Sequence, residues 1–318
     1  MTDKTVWVLL DDRAGNKGQT IGVAQALKWP YEIKNIVYDK WVKLPNILRG
    51  ASVLGIQKEC LTQIKPPYPD FVISAGRRLY PLSRYIRKIS GKKTKIIHLM
   101  NPGAAGFRDA FLIALPKHDG YHGKSKNVFE TIGAPHKVTP LLLDQEKKKW
   151  EQTLEKYPSP RISLIVGGST KDSPFTLEMA KTFVQKVRQI PHGSFLVTTS
   201  RRTPEEVVSY MEKELSGEKC FFYKGQADME NPYFGLLSWA DTVVVTGDSI
   251  SMCAEACATG KPVYIFTESM RISEKHQRFH QELYSLGKAA PLGSPTTPSG
   301  GYLNAAEEVA EKVFSMLS

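Results

Sequence analysis

No apolar run in this 318-residue chain approaches the roughly 18 residues that a membrane helix needs. The N-terminus, MTDKTVWVLLDD, sets a short apolar stretch between acids and lacks the basic start of a signal peptide, so the chain is expected to stay in the cytoplasm. Cysteine is scarce. The four residues, Cys60, Cys220, Cys253 and Cys257, form no CxxC, and the last two are spaced i,i+4, which suits small residues facing a helix core better than a zinc site. Reduced thiols and no metal are therefore expected. The seven histidines form neither HExxH nor a paired ligand spacing. The chain also lacks the GxGxxG dinucleotide fingerprint and the Gly-Lys-Ser/Thr ending of a P-loop. There is no helix-turn-helix, RNP-like or zinc-finger signature, and Tyr85 is the only aromatic in the basic run Arg84 to Lys95, so the sequence does not point to nucleic acid.

What the chain does have is unevenly placed charge. Residues 1–157 carry 27 Lys and Arg against 14 Asp and Glu, while residues 158–318 carry 16 against 18. Basic charge confined to one half suits a surface that faces something anionic, such as lipid headgroups or a phosphorylated substrate; a solvated face is the plainer alternative. Short β-branched runs alternate with amphipathic segments, the pattern of parallel strands joined by crossover helices. The first half offers VWVLL, FVIS, KIIHL and AFLIAL, and the second ISLIVG, FLVTT, CFFY, TVVV and VYIF. The fold class is α/β, with two doubly wound, Rossmann-like domains. The charged, proline-ended segment Leu141–Arg161 places a junction near Tyr157, giving a basic domain over 1–157 and a second domain over 158–301. Residues 302–318 read as a closing amphipathic helix.

In open parallel sheets ligands bind beyond the carboxyl ends of strands, where helix N-termini offer unpaired N–H groups. Arginines follow three strand ends here. Arg77 and Arg78 in SAGRR, with Arg201 and Arg202 in TTSRRTP after Ser200, are candidates to converge on a phosphorylated ligand in a cleft between the domains. The opening block DDRAGNKGQ offers Asp11 and Asp12 as bases and Arg13, Gly15 and Gln19 as acceptor or phosphate contacts. Its GxxGxxxG glycines, 15, 18 and 22, either admit a ligand close to the backbone or merely turn the strand into a helix. Gly167 and Gly168 form a similar turn, read as a phosphate or base contact. His118 and Asp119 in PKHD form a possible base with an orienting acid, although neighbouring loop residues usually point apart. His98 falls in a strand and reads as a core residue. In TGDSISMCAEACATGKP, Thr246, Gly247, Asp248 and Ser249 would form a turn, with Asp248 or Ser249 capping the next helix. Glu255, among small residues, would offer a carboxylate to sugar hydroxyls.

That last stretch resembles the nucleotide-sugar half of GT-B glycosyltransferases, especially the peptidoglycan MurG type, in which the matching glutamate holds the ribose. Over nearly the whole chain, DDRAGNKGQ, SAGRR, PKHD, TIGAPHKVT, TTSRRTP, NPY and VVTGDSISMCAEACATGKPVY together resemble the mitochondrial-fission Elm (elongated mitochondria) family and its bacterial relatives. In one respect the chain departs from the family, whose first block usually reads DGKAG: Asp12 stands here for the glycine. The resemblance implies a GT-B-like pair of Rossmann domains with a cleft between them. It leaves catalysis open, because plant members of the family are described as recruiting a dynamin-related partner at the mitochondrial surface.

The leading expectation is a metal-independent glycosyltransferase with a nucleotide-diphosphate sugar as co-substrate and no other cofactor. It would act on a lipid-linked or cell-envelope acceptor, peripherally at the cytoplasmic membrane face. The segment Trp41–Ile56, which mixes Trp, Leu and Ile with Lys43 and Arg49, reads either as interfacial or as an ordinary core helix with a loop. The alternative function is a non-catalytic, membrane-associated scaffold that binds a protein partner. A minor alternative is a serine hydrolase built on GDSIS, with Ser249 as nucleophile and Glu268 and His276 or His280 as its partners.

Overall fold

The structure is a computed structural model that describes residues 4–103, 107–170, 173–216, 219–225 and 229–318. Two compact units emerge, Met1–Lys137 with Asn304–Ser318, and Val138–Leu303. In chain order the first holds β1 (Val6–Leu10), α1 (Ala14–Leu27), β2 (Tyr31–Asn35), α2 (Asn46–Arg49), α3 (Lys58–Leu61), β3 (Phe71–Ala75), α4 (Tyr80–Ile89), β4 (Lys95–Leu99), β5 (Leu112–Pro116) and β6 (Val128–Thr131). The second holds α5 (Pro140–Lys149), α6 (Glu151–Leu154), β7 (Arg161–Val166), α7 (Leu177–Val187), β8 (Ser194–Thr199), α8 (Glu205–Leu215), β9 (Cys220–Tyr223), α9 (Tyr233–Trp239), β10 (Thr242–Thr246), α10 (Ile250–Cys257), β11 (Val263–Phe266), α11 (Glu274–Ser285) and β12 (Ala290–Pro291). The last helix, α12 (Ala305–Ser315), belongs to the first unit.

Both sheets are parallel throughout, in the orders β2-β1-β3-β4-β5-β6 and β12-β11-β10-β7-β8-β9. Each is wound in both directions from its first central strand. The order therefore reverses between β1 and β3 in the first unit and between β7 and β10 in the second, where a crevice opens at the carboxyl ends. Both faces of the sheets are covered. In β1, Val6, Val8 and Leu10 pack with Val23, Ala24 and Leu27 of α1 and with Ala306, Val309 and Val313 of α12. The alternate residues Trp7 and Leu9 join Leu82 and Ile86 of α4 on the other face. In the second unit Leu164 and Val197 pack with Phe183 and Met211, while Leu196 and Phe221 pack with Leu236 and Trp239.

The division of the chain falls at Lys137 and Val138, not near Tyr157. The charged segment expected as a junction folds into α5 and α6, because Trp150 and Leu154 bury themselves with Leu196, Phe221 and Trp239 of the second unit. The GxxGxxxG glycines lie inside α1, not in a loop, since the helix begins at Ala14. Gly22 is needed for packing: a Cβ there would overlap the carbonyl of His136. At Gly15 and Gly18 a Cβ would meet nothing.

His98 is fully buried in β4, beneath a chain in which Ser83 Oγ donates to Ser74 Oγ at 2.8 Å and the latter lies 2.8 Å from His98 Nδ1. Burial lowers the imidazole pKa to about 3. An unfolded histidine takes its proton near pH 6.5, so over the interval from there down to about 3 the unfolded chain binds more protons than the folded one. Stability present above pH 6.5 is thus lost as pH falls, at up to about 1.4 kcal/mol per pH unit from this one group. Urea denaturation of the parent and of His98→Gln between about pH 4 and pH 7 should show the parent losing stability more steeply. Equal slopes would acquit His98.

Candidate ligand sites at the two switch points

In the first unit β1 runs directly into Asp11, whose carboxylate is buried and wrapped by donors. Arg13 N–H reaches Oδ1 at 3.1 Å, Asn16 Nδ2 reaches the two oxygens at 3.2 and 3.1 Å, and Tyr38 O–H reaches Oδ2 at 3.2 Å. Burial, and then the neighbouring Asp11 charge, raise the Tyr38 pKa well above its ordinary value, so this phenol stays a donor. Asp12 is exposed and lies 3.7 Å from Arg78, whose guanidinium stands over the Tyr38 ring at 5.6 Å. Beyond β3, Gly76 turns the chain at φ +75°, and the arginine loop is held from below. Asn46 Nδ2 donates to the carbonyls of Arg77 and Pro102 at 2.7 and 2.9 Å, and the buried Arg49 donates through Nη1 to the Arg78 carbonyl at 3.1 Å.

Two cavities open here. One of about 130 Å³ is lined by Asp11, Arg13, Asn16, Gly76, Arg77 and Arg78. The other, of about 300 Å³, lies over Asp12, Lys17, Tyr38 and Arg78. Asp11, Asp12, Arg13, Arg77 and Arg78 line these two cavities between them. Gly15 lies in the first turn of α1, and Gln19 is buried one turn further on. His118 and Asp119 follow β5, separated from β3 by β4, and His118 is only 2 % exposed. They do not join the β1/β3 crevice, and burial removes His118 as a base for a ligand there. Neither Asn16 nor Tyr38 stood out in the sequence. Asn16 had a signal, being in the first helical turn after Asp11; Tyr38 had none, because its reach depends on the path after β2.

The second switch point is tied by Asp248. Gly168 N–H donates to Oδ2 at 3.2 Å, Arg202 Nη2 to the same oxygen at 2.9 Å, and Thr246 Oγ1 to Oδ1 at 2.6 Å. Thr246 Oγ1 also accepts from Gly167 N–H at 2.7 Å, and Ser169 N–H donates to the Arg202 carbonyl at 3.0 Å. The glycines are bare for internal reasons. A Cβ on Gly167 would overlap the Asp248 carboxylate, one on Gly168 the backbone of Arg202 and Thr203, and one on Gly247 would crowd Thr267 and His280.

Beside this network, at the carboxyl ends of β7, β8 and β9, lies a cavity of about 460 Å³, whose polar lining includes Ser200, Arg201, Asn231 and Tyr233, with Met252 of α10. Tyr233 O–H donates to Glu255 Oε2 at 2.6 Å; burial and the Glu255 charge raise the phenol pKa well above its ordinary value. Glu255 is half-buried, one turn beyond Met252. Thr246, Asp248, Gly167, Gly168 and Arg202 thus form one bonded network, and Gly247, between two of them, donates to the Phe266 carbonyl. Ser200 and Arg201 line the cavity, and Ser249 caps α10 by accepting from Met252 N–H at 3.4 Å. Of the groups in the hydrolase alternative, Glu268 pairs with Lys186, and His276 hydrogen-bonds the backbone of Asp248 with its Nδ1 2.7 Å from Ser273 Oγ.

Comparison with known proteins adds the following. The family model described as Mitochondrial fission ELM1 matches residues 14–317. The uncharacterised protein RP120 of Rickettsia prowazekii (strain Madrid E) is 31 % identical, covering 96 % of each chain. The mitochondrial fission protein ELM1 of Arabidopsis thaliana is 28 % identical over 70 % of this chain and 57 % of its own length. Among solved structures, the glycotransferase of kitacinnamycin superposes with a TM-score of 0.57 at 12 % identity, covering 99 % of this chain and all (100 %) of its own. MurG of Acinetobacter baumannii gives 0.51 at 14 % identity, covering 99 % and 90 %. The UDP-GlcNAc 2-epimerase of Methanocaldococcus jannaschii gives 0.52 at 13 % identity, covering 98 % and 99 %. At such identities the likeness is one of fold, that of the GT-B glycosyltransferases with their two Rossmann-like domains.

The Asp248 network gives a stability prediction. Gly167→Ala should destabilise the chain by about 1–3 kcal/mol, as overpacking against a fixed group does. In an Asp248→Ala background that cost should largely vanish, because the group it strikes is gone. Denaturant unfolding of the four proteins measures the coupling, and additive effects would refute it.

Proposed function

The chain belongs to the mitochondrial fission ELM1 family and carries the GT-B fold, and from these premises we propose that its second unit binds a nucleotide-diphosphate sugar, which the protein transfers to a lipid-linked or cell-envelope acceptor. The observation that carries this reading is the cavity over β7–β9, with Ser200, Arg201, Asn231 and Tyr233 on its wall and Glu255 hydrogen-bonded behind Tyr233. A purine or pyrimidine would lie against Tyr233 and Met252, ribose hydroxyls would bond to Glu255, and Arg201 would take negative charge on the leaving diphosphate. In the transfer, the sugar C1–oxygen bond to the diphosphate breaks with its electron pair, an acceptor oxygen bonds to C1, and the acceptor proton passes to a carboxylate. Asp12 is the better candidate for that proton because it is exposed, whereas the oxygens of Asp11 already accept four hydrogen bonds. Arg77 and Arg78 suit a phosphate on the acceptor.

The membrane part of the proposal rests on the first unit. Trp41 is 50 % exposed and Ile47 and Leu48 are each 69 % exposed, between exposed Lys40 and Lys43 and the internally bonded Arg49. Among the described residues no helix is long and apolar enough to cross a membrane. A rigid apolar ridge with lysine flanks suits docking on an anionic bilayer.

A second reading has its own observation. The Gly168 amide, which a diphosphate would use, is already bonded to Asp248. On that ground the protein would bind its ligand without turnover and act as a membrane-bound scaffold for a protein partner.

Calorimetry against UDP, GDP, CMP and ADP and their sugars should find one nucleotide class that binds, and Glu255→Ala should weaken it at least tenfold, as loss of a buried charged hydrogen bond does. No binding across the panel would sink the nucleotide reading, and binding with no sugar loss over long incubation would favour the scaffold. Separately, Ile47→Ser with Leu48→Ser should abolish sedimentation with phosphatidylserine-containing vesicles and leave unfolding unchanged. Unaltered sedimentation would refute the ridge.

A further inference from the structure

We infer that Asp248 is an internal anion that fills the phosphate position of the second switch point, so that a nucleotide in the neighbouring cavity is recognised by its nucleoside and gains nothing from the glycine turn. This rests on the nucleotide reading above and narrows it. The three donors on this carboxylate are the three kinds a bound phosphate collects in a doubly wound fold: the amide of a glycine turn after a strand, a hydroxyl and a guanidinium. Here they are Gly168 N–H at 3.2 Å, Thr246 Oγ1 at 2.6 Å and Arg202 Nη2 at 2.9 Å. The Asp248 side chain is 2 % exposed, so it is sealed among them.

The glycines agree with this assignment. In a turn that admits phosphate, the absent side chains leave room for the ligand; in this one that room is taken by protein. The Asp248 carboxylate lies where a Cβ of Gly167 would stand, and the Arg202 and Thr203 backbone where that of Gly168 would stand. A phosphate would have to evict a carboxylate from its donors or approach it with like charge, and either opposes binding. In the cavity, Ser200, Asn231 and Tyr233 are neutral polar groups fitted to a base and a ribose, and the cations on its wall are the exposed Arg201 and Lys224, the latter paired with Glu212. Phosphate recognition thereby passes from the turn to Arg201, with Lys224 as the second cation in reach.

The test uses the full chain with inorganic pyrophosphate and with matched pairs of probes, uridine and UDP, guanosine and GDP, adenosine and ADP. Whatever stabilisation millimolar pyrophosphate gives the parent, through Arg77 and Arg78 or through Arg201 and Lys224, should persist unchanged in Arg202→Ala. For the base that binds, nucleoside and diphosphate affinities should agree within about threefold once Arg201 and Lys224 are both replaced by Ala. Asp248→Ser frees the amide and Arg202, and should gain pyrophosphate binding that an added Arg202→Ala removes. Pyrophosphate binding by the parent that Arg202→Ala abolishes would overturn the assignment, and so would a folded Asp248→Ser protein that gains none. If Asp248→Ser does not fold, the parent and its Arg202→Ala variant still decide. If Asp248→Ser gains pyrophosphate binding while no nucleoside or nucleotide binds the parent, the internal anion stands and the nucleotide reading falls.

Discussion

In each unit one buried carboxylate holds the crevice together at the point where the sheet reverses its winding. Asp11 gathers the start of α1 and the segment after β2, through Arg13, Asn16 and Tyr38. Asp248 gathers the turns after β7, β8 and β10, through Gly168, Arg202 and Thr246. The constraint is common to both: parallel strands leave amides and hydroxyls convergent at their carboxyl ends, and burying them unpaired would cost more than burying a charge they can satisfy. Once the carboxylate is in place, neighbouring residues follow. Gly167 can carry no side chain because of Asp248, and Gly168 none because of the loop that brings Arg202 to it.

The two carboxylates differ in what they leave open. Asp11 sits at the wall of cavities that Asp12, Arg77 and Arg78 share, so groups of both signs remain available there to a ligand. Asp248 consumes its surroundings, and the cavity beside it is left with mostly neutral hydrogen-bonding groups. Two units of the same winding are thus chemically unequal. The first presents charged groups of both signs at its cavities, and the second mostly neutral hydrogen-bonding groups with Arg201 and Lys224.

Much of this was legible in the sequence, and the remainder was hidden for identifiable reasons. The central strands announced themselves because both faces are buried and their residues are uniformly apolar, as in VWVLL and TVVV. Strands β2 and β6 lie at the two edges of the first sheet; YEIKN is exposed at every position but Lys34, and VFET has Val128 and Phe129 only half-buried and a threonine as its one buried residue, leaving no apolar pattern to read. The arginine loops were found because RR follows a strand twice. What Arg202 does could not be found that way: its role is set by Asp248, 46 residues on in the chain and adjacent only because β10 lies beside β7. The glycines misled for a related reason. A missing side chain reads the same whether a ligand or the protein's own backbone occupies the space.

The charge asymmetry is one of composition, and it is matched by what some of the cations bind. The first unit, residues 1–137 with 304–318, holds 24 Lys and Arg against 13 Asp and Glu, whereas the second holds 19 of each, so the net +11 belongs to the first alone. In the second unit Arg202, Lys186, Lys149 and Lys224 pair with Asp248, Glu268, Glu230 and Glu212, which cancels their charge locally. In the first, Lys34, Arg78 and Arg84 pair with Glu32, Asp12 and Asp109, but Arg49 and Arg87 donate to carbonyls, of Leu54 and Arg78 and of Lys92 and Thr94. A guanidinium satisfied by carbonyl dipoles stabilises a loop as an ion pair would, yet keeps its full charge for the field outside. Arg49 follows exposed Ile47 and Leu48 in α2, so its charge lies in the same short helix as these apolar side chains. A surface that joins positive charge and exposed apolar groups is thereby built at no cost in unpaired buried acids.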